Sequence, residues 1–239
     1  MRNGYGVMSW PDGTVFEGEW LNDERNYGKQ TMTDNNIYEG SFQNDKFHGV
    51  GKITFTREQM TFEGLFKEGK QSNVGRLINQ KNNEVYVGEV VDNVVRHGLG
   101  MLLSKDRKYE GEFKDDDPVG LGRISFENGD VYYGETSRML RVGSGRMEFD
   151  MKDCNSKYKM FEGQYDNDKR DGVGYLYLRD GRVYCGQFRN DLEEGIGEYL
   201  NTSKDIHADF KKVKMAQIEM YLDQIAKQVS FLSPLGIKA

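Results

Sequence analysis

The sequence predicts an all-β protein: an elongated, single-layer, twisted antiparallel sheet of stacked β-hairpins, followed by one C-terminal α-helix. Three observations predict this class. A five-residue phrase, aromatic–Glu–Gly–Glu–aromatic, returns along the chain; a Gly-x-Gly phrase follows most of its copies; and turn-forming dipeptides separate the two. Phrases that recur at a nearly fixed period of this size indicate a repeat array, in which each unit is one supersecondary element.

The first phrase places two aromatic residues around a glycine, and Tyr109-Glu110-Gly111-Glu112-Phe113 is its fullest copy. In a strand the aromatics and the glycine share one face and the glutamates share the other. Glycine weakens a strand, so its regular use predicts that an aromatic ring lies flat over the bare backbone. The central glycines are Gly18, Gly40, Gly64, Gly88, Gly111, Gly134, Gly163 and Gly186.

The second phrase, such as Gly120-Leu121-Gly122, predicts the partner strand of each hairpin. Gly4-Tyr5-Gly6 is a copy without a preceding aromatic strand, so the chain opens in the middle of a unit. Asp12-Gly13, Asn128-Gly129 and Asp180-Gly181 favour tight two-residue turns with positive φ. The opposite connections are short and polar. We therefore expect one hairpin per repeat, in contact mainly with its neighbours.

The alternation of these two phrases resembles the membrane occupation and recognition nexus (MORN) repeat. The resemblance covers residues 1–203, with about eight units of which the first is partial, and leaves 204–239 as a C-terminal amphipathic helix and tail. His48 and His97 immediately precede paired glycines, where the MORN family often has histidine. The resemblance names a type of repeat, and function has to be argued separately.

Composition supports a thin sheet and argues against a thick core. Only 36% of the residues are hydrophobic, 29 are glycine and 12% are aromatic. No segment approaches the ~20 apolar residues of a membrane-spanning helix, and no apolar run that could form a secretory signal follows Met1. The cysteines, Cys154 and Cys185, lack the spacing of a disulfide framework, which favours a reducing compartment. We expect a cytoplasmic protein.

The C-terminal segment changes from a strand pattern to a helix pattern. Ile206-His207-Ala208-Asp209-Phe210 resembles a decayed ninth copy of the phrase. From about Asp209 the apolar residues recur at three- and four-residue steps, and Pro234 and Gly236 end the helix. The helix could cover the edge of the last strand, fold back over the aromatic face or bind another subunit. We expect it to cover the edge, because solenoids need capped ends.

No catalytic, cofactor or metal site is predicted. His48-Gly49-Val50-Gly51-Lys52 lacks the hydroxyl residue and the upstream glycine of a phosphate-binding loop. The repeated glutamates indicate a solvated face that bonds to neighbouring Lys or Arg. The histidines have no ligand spacing. Asp115-Asp116-Asp117 lies in a connection and lacks the pattern of a calcium loop.

The aromatic face is the predicted partner-binding site, because a single-layer sheet has no second layer to cover a stripe of rings. A groove of rings and bare backbone suits a helix or an extended peptide of a partner protein. The alternative is that the rings only cover their own glycines and leave nothing exposed. The predicted contact residues are Tyr38, Phe42, Phe62, Phe66, Tyr86, Tyr109, Phe113, Phe161, Tyr165, Tyr184 and Phe188.

The resemblance implies a non-enzymatic scaffold that is part of a larger assembly. Similar arrays occur in radial-spoke heads and other axonemal complexes, so a cilium or another part of the cytoskeleton is the expected setting. A membrane- or phosphoinositide-associated tether and a regulatory repeat fragment of a larger enzyme stay open as alternatives. The net charge of −6 and the lack of a basic run argue against lipid and against nucleic acid.

Overall fold

The computed structural model describes residues 1–92, 94–153, 156–201 and 210–237, with side chains from residue 215 onward in the last range. The interpretations placed on Cys154 and on Ile206-His207-Ala208-Asp209 fall outside the described residues. The same holds for the predicted boundary between residues 203 and 204.

The predicted class is confirmed: the residues that the structure describes form seventeen strands, one α-helix and a short 3₁₀ turn, Ser233–Leu235. Each strand pairs antiparallel with a neighbour in sequence. The elements are β1 (Gly4–Ser9), β2 (Val15–Leu21), β3 (Glu24–Thr31), β4 (Ile37–Gln43), β5 (Lys46–Phe55), β6 (Met60–Lys67), β7 (Lys70–Asn79), β8 (Glu84–Val91), β9 (Val95–Leu103), β10 (Arg107–Lys114), β11 (Asp117–Phe126), β12 (Val131–Ser137), β13 (Leu140–Glu148), β14 (Tyr158–Asp166), β15 (Lys169–Leu178), β16 (Val183–Arg189), β17 (Leu192–Leu200) and α1 (Phe210–Leu232).

Two compact units make up the chain. The first consists of Met1–His97 together with Ala226–Ala239, and the second of Gly98–Ile225. The first unit therefore contains β1 to β8 and the end of α1, and the second contains β10 to β17 and the larger part of α1.

Glycine pairs with glycine at the centre of seven of the described hairpins. A Cβ built on Gly51 would lie 2.6 Å from the hydroxyl oxygen of Tyr38, and one on Gly122 would lie 2.5 Å from the ring of Tyr109. The prediction that rings lie over bare backbone is thus confirmed. The pairs are Gly18–Gly28, Gly40–Gly51, Gly64–Gly75, Gly111–Gly122, Gly134–Gly145, Gly163–Gly174 and Gly186–Gly197.

Strand alternation gives each hairpin two distinct faces. We call the face that carries the paired glycines and the rings the ring face. We call the opposite face, which carries the repeated glutamates, the ladder face. On the ladder face Lys52 Nζ lies 3.0 Å from Glu39 Oε2, and Arg76 Nη1 donates to Glu63 Oε2 at 2.9 Å. The predicted bonding of the glutamates to neighbouring cations is therefore present.

The tight two-residue turns occur at the connections opposite to those predicted. Asn22-Asp23 and Asn167-Asp168 have positive φ at both residues, which is the type I′ geometry that matches strand twist. Asp115-Asp116 has the same geometry, so this acidic cluster is a turn. At Asp12-Gly13 only the glycine has positive φ, because the loop has three residues, closed by the Trp10–Thr14 pair.

Candidate functional site

All eleven predicted contact residues lie in the interior of the ring face. Tyr38, Phe62, Tyr109 and Phe161 are fully buried, and the most exposed member of the set, Phe42, keeps only 6% of its surface accessible. The expectation that a single-layer sheet leaves this stripe exposed is wrong. The rings are hidden by three kinds of contact: the glycines beneath them, their neighbouring rings, and the side chains above them.

Neighbouring rings meet edge to face in a fixed order. The first ring of a repeat contacts the second ring of its own repeat and also the second ring of the next repeat. Phe16 lies 5.2 Å from both Trp20 and Phe42, and Phe161 lies 5.3 Å from Tyr165 and 5.0 Å from Phe188. Edge-to-face pairs contribute about 0.5–1.5 kcal/mol each beyond their burial. Such contacts link successive repeats at Phe16–Phe42, Tyr38–Phe66, Tyr132–Tyr165 and Phe161–Phe188.

The buried tyrosines also use their hydroxyl groups. Tyr109 Oη donates to the carbonyl oxygens of Glu112 at 3.0 Å and Val119 at 3.1 Å, and the Thr136 hydroxyl donates to Tyr109 Oη at 3.2 Å. Burial raises the pKa of Tyr109 above its ordinary value near 10. The same cause raises the pKa of Tyr38. These hydroxyls are therefore neutral structural donors across the physiological pH range.

Arginine side chains cover the rings from above, and the sequence reasoning missed them. We call the residue that pairs across the hairpin with the second aromatic position the cover position. Arg25 and Arg170 occupy it opposite Trp20 and Tyr165. The guanidinium of Arg170 lies 5.6 Å from the centre of the Phe161 ring and 5.3 Å from that of Phe188. A single arginine thus covers rings of two successive repeats.

Each covering arginine is held by an aspartate in the next turn. Both the backbone N–H and Nε of Arg170 donate to Asp191 Oδ1, at 2.9 and 3.1 Å. Arg141 bonds to Asp168 in the same way, at 2.8 and 3.1 Å. The available signal was the recurrence of Asn-Asp-x-Arg at 22–25 and 167–170. The arginine of each such phrase bonds to an aspartate of the next repeat, and the spacing within one repeat does not indicate that contact.

The cover position changes in the middle of the chain. Three other residues stand there instead of arginine. Phe47 stacks on Tyr38 with the two ring centres 3.8 Å apart, Gln71 pairs with Phe66, and Pro118 pairs with Phe113. Beside Gln71 the ring face opens into a cavity of 440 Å³, which Phe47, Phe66 and Val90 line together with Lys70 and Asp92. Where arginine is absent, the ring face of the first unit therefore offers an open recess that combines apolar side chains with polar and charged ones.

The C-terminal helix packs on the ladder face. In the second unit the Tyr221 hydroxyl donates to the Glu112 carboxylate, and in the first unit Gln228 Nε2 donates to Glu89 Oε1 at 3.4 Å. Both glutamates alternate with ring-face residues and so lie on the ladder face. Ile218, Ile225 and Leu232, spaced seven residues apart on one side of the helix, each keep only 1% of their surface accessible.

These contacts correct the expectation that the helix covers the last strand edge. β17 is exposed from Leu192 to Tyr199, and the described helix contacts go to β8 and β10. Apolar side chains replace charged ones on the ladder face there: Val87 is 1% exposed in the first unit and Met101 is 6% exposed in the second. Val87 stands where the phrase has glutamate, and that departure was the sequence signal for the helix site.

Within the described residues, no group of three or more His, Cys, Asp or Glu side chains is placed to hold a metal ion. Among the helices of the described part of the chain, none is both long enough and apolar enough to cross a membrane. Cys185 is a free thiol. The polar side chains of the site bond to one another and to the backbone, which is the pattern of a structural repeat.

Comparison with known proteins finds partial likenesses. Alsin from Rattus norvegicus is 40% identical over 58 residues, and Alsin from Homo sapiens is 38% identical over 58 residues. Each match covers 24% of this chain and 4% of the relative, so the chain matches only a small part of these proteins. A solved structure of the SAS-4 (dCPAP) TCP domain from Drosophila melanogaster, in complex with a proline-rich motif, aligns with 82% of this chain and 88% of its own chain. The identity is 12% and the TM-score is 0.33, which supports no argument.

The MORN repeat pattern matches residues 1–15, 16–36, 38–57, 109–131, 161–181 and 184–205. Hairpins of the same design lie between these matches, such as β6–β7 and β12–β13, where Gly64 pairs with Gly75 and Gly134 with Gly145. The matched residues make up half of the chain, and the unmatched hairpins keep the same pairing of glycines under rings. The chain therefore belongs to the MORN repeat family, a family of repeat-based interaction modules.

Proposed function

We propose that this chain is a non-enzymatic assembly protein that binds a segment of a partner protein on its ring face. The observation that carries the proposal is the 440 Å³ recess beside Gln71, one of the cover positions that has no arginine. Phe66 is one of the predicted contact residues and forms part of the recess. The other ten predicted residues act from beneath, by holding the surface that the partner meets.

A partner helix or extended peptide would insert an apolar side chain between Phe47, Phe66 and Val90. Lys70 and Asp92, which also line the recess, would favour a segment that carries charges of both signs near that residue. An anchor residue that fills a pocket, with a polar rim around it, is the usual design of a protein-protein contact. A ciliary or cytoskeletal setting rests on the family resemblance and is part of the proposal.

The test compares proteins captured from the source cells by the wild-type chain and by two arginine variants. Gln71→Arg restores the covering residue found at other repeats, so it fills the recess with a side chain that the fold already accepts. Gln43→Arg, at the exposed end of β4, adds the same charge away from the recess. We expect Gln71→Arg to lose partners that Gln43→Arg keeps. Equal capture by both variants would exclude the recess as the contact site.

Substitution of Tyr109 and Phe113 by alanine is not a useful test of binding. Both rings are buried, at 0% and 3% exposure, so their removal would lower stability and release partners indirectly. A tether at a membrane would be distinguished by salt-sensitive sedimentation of the wild-type chain with anionic liposomes, unaffected by Gln71→Arg.

A further inference from the structure

The first strand contains an empty position for an aromatic ring. At fourteen other paired glycines, a Cβ would lie only 2.2–2.6 Å from the nearest atom, in most cases a ring or the facing backbone. At Gly6 the nearest atoms are Cδ1 and Nε1 of Trp20, both at 3.7 Å. Gly6 pairs with Gly18 as the other glycines pair, yet no ring lies over it.

The surroundings of Gly6 reproduce a complete ring site elsewhere in the chain. In β13, Gly145 lies beneath Tyr132, Met147 pairs with Tyr132, and Arg141 lies above Tyr165 with its guanidinium 5.1 Å from the ring centre.

In β1 the corresponding residues are all present except the ring. Met8 follows Gly6 by two positions, as Met147 follows Gly145. The guanidinium of Arg2 lies 4.1 Å from the Trp20 ring centre, with Nη1 2.8 Å from Met8 Sδ. The backbone N–H of Arg2 donates to Asp23 Oδ1 at 2.7 Å, as that of Arg141 donates to Asp168 Oδ1. The site thus has its glycine base, its neighbouring ring and its covering arginine.

The backbone at this place is also open. β1 pairs with β2 on one side, and no further partner strand is present among the described residues. Tyr5 and Val7, on the ladder face of β1, are 71% and 65% exposed. A cavity of 340 Å³, lined by Arg2, Met8, Trp10 and Trp20 among others, opens on the ring face beside the strand. An unpaired strand edge offers a row of backbone donors and acceptors to an added strand.

We propose that β1 accepts an extended strand from another protein, with the pattern aromatic-x-Gly-x-aromatic, by β-augmentation. The added glycine would pair with Gly6, and the first ring would lie over Gly6 opposite Met8 and beneath Arg2. Its edge would contact Trp20, as Phe16 contacts Phe42 and Phe161 contacts Phe188. Backbone hydrogen bonds supply affinity in this mode, and the ring site supplies register and specificity. The aromatic strands that the structure describes are already paired within its hairpins and do not supply this strand.

The test uses the full chain and a fluorescent peptide with the sequence of β10, Arg107–Lys114, which carries Tyr109, Gly111 and Phe113. We expect the peptide to bind and to slow amide hydrogen exchange in β1. A peptide with Tyr109→Ser should bind at least tenfold more weakly. In the chain, Gly6→Val should weaken binding at least tenfold because its methyl groups occupy the place of the ring. Val7→Thr, on the opposite face, should leave binding within twofold.

Gly6→Val is expected to fold, because nothing lies within 3.7 Å of the added Cβ; near-ultraviolet circular dichroism checks this. Equal binding to wild type and Gly6→Val, equal binding of the two peptides, or protection of β17 in place of β1 would overturn the proposal. Self-association of the wild-type chain that Gly6→Val abolishes would assign the site to a second copy and also overturn it. None of these results bears on the recess beside Gln71.

Discussion

At the scale of single residues, arginine covers the rings in several hairpins of this one-layer sheet. A guanidinium can stack on an aromatic face and at the same time bond to a carboxylate in a fixed plane. Arg141 does both: it covers Tyr165 and bonds to Asp168, with 19% of its side chain exposed. The contact joins one repeat to the turn of the next.

Removal of this bond should lower stability in a measurable way. We expect Asp168→Asn to lower the free energy of unfolding by about 1.5–3 kcal/mol, because Arg141 keeps its position but loses a charged acceptor. Arg182 and Asp180 form a comparable pair within one turn, with about half of each side chain exposed. Asp180→Asn should have a much smaller effect. Urea denaturation of the two variants side by side measures the difference, and equal losses would contradict a structural role for the covering arginines.

The buried tyrosines predict a loss of stability at high pH. Burial raises the pKa of Tyr109, Tyr132 and Tyr38 in the folded chain above the unfolded value of about 10. Their contribution is therefore complete below about pH 10 and is lost as the pH rises beyond it. We expect unfolding and tyrosinate absorbance to appear together above that pH. Ionisation of these residues at pH 10 in a chain that stays folded would contradict their burial.

At the scale of elements, the strands were predictable and the site of the helix was not. A repeated phrase fixes which residues alternate, so Tyr109, Gly111 and Phe113 were placed correctly on one face. The helix contacts a place where the phrase is broken, at Val87, and a single departure in a degenerate repeat carries little weight by itself. The turns were assigned to the wrong connections because Asp-Gly was taken for a type I′ turn. The type I′ turns lie at the opposite connections, where the sequence is Asn-Asp or even Arg138-Met139, with φ of 51° and 67°.

Loosening the helix should expose the apolar part of the ladder face. Ile225→Ala removes a side chain that is 1% exposed, and we expect it to lower the free energy of unfolding by about 2–5 kcal/mol. Met220→Ala, at 50% exposure on the same helix, is the matched control and should change it little. Thermal denaturation followed by circular dichroism measures both. A helix that melts separately, with no effect of Ile225→Ala on the strands, would show that it packs only weakly on the sheet.

At the scale of the whole molecule, most repeats share one arrangement: a glycine pair below, a ring on it, usually a second ring beside it, and a covering side chain above. The period and the glycine rows followed from the sequence alone. The burial of Tyr38, Phe62 and Tyr109 did not follow, because it depends on which side chains of their own and the adjacent repeat fold over the rings. The glycines are the places where rings lie, and the reason is steric.

Paired glycine substitutions test that claim most directly. Gly51→Ala and Gly122→Ala would bring a Cβ to 2.6 and 2.5 Å from the rings of Tyr38 and Tyr109, whereas Gly6→Ala meets nothing closer than 3.7 Å. We expect each of the first two to lower the free energy of unfolding by about 1–3 kcal/mol. Gly6→Ala should leave it unchanged or raise it by up to about 1 kcal/mol, since the unfolded chain loses freedom. Equal effects of the three substitutions in urea denaturation would contradict the claim that the glycines serve the rings.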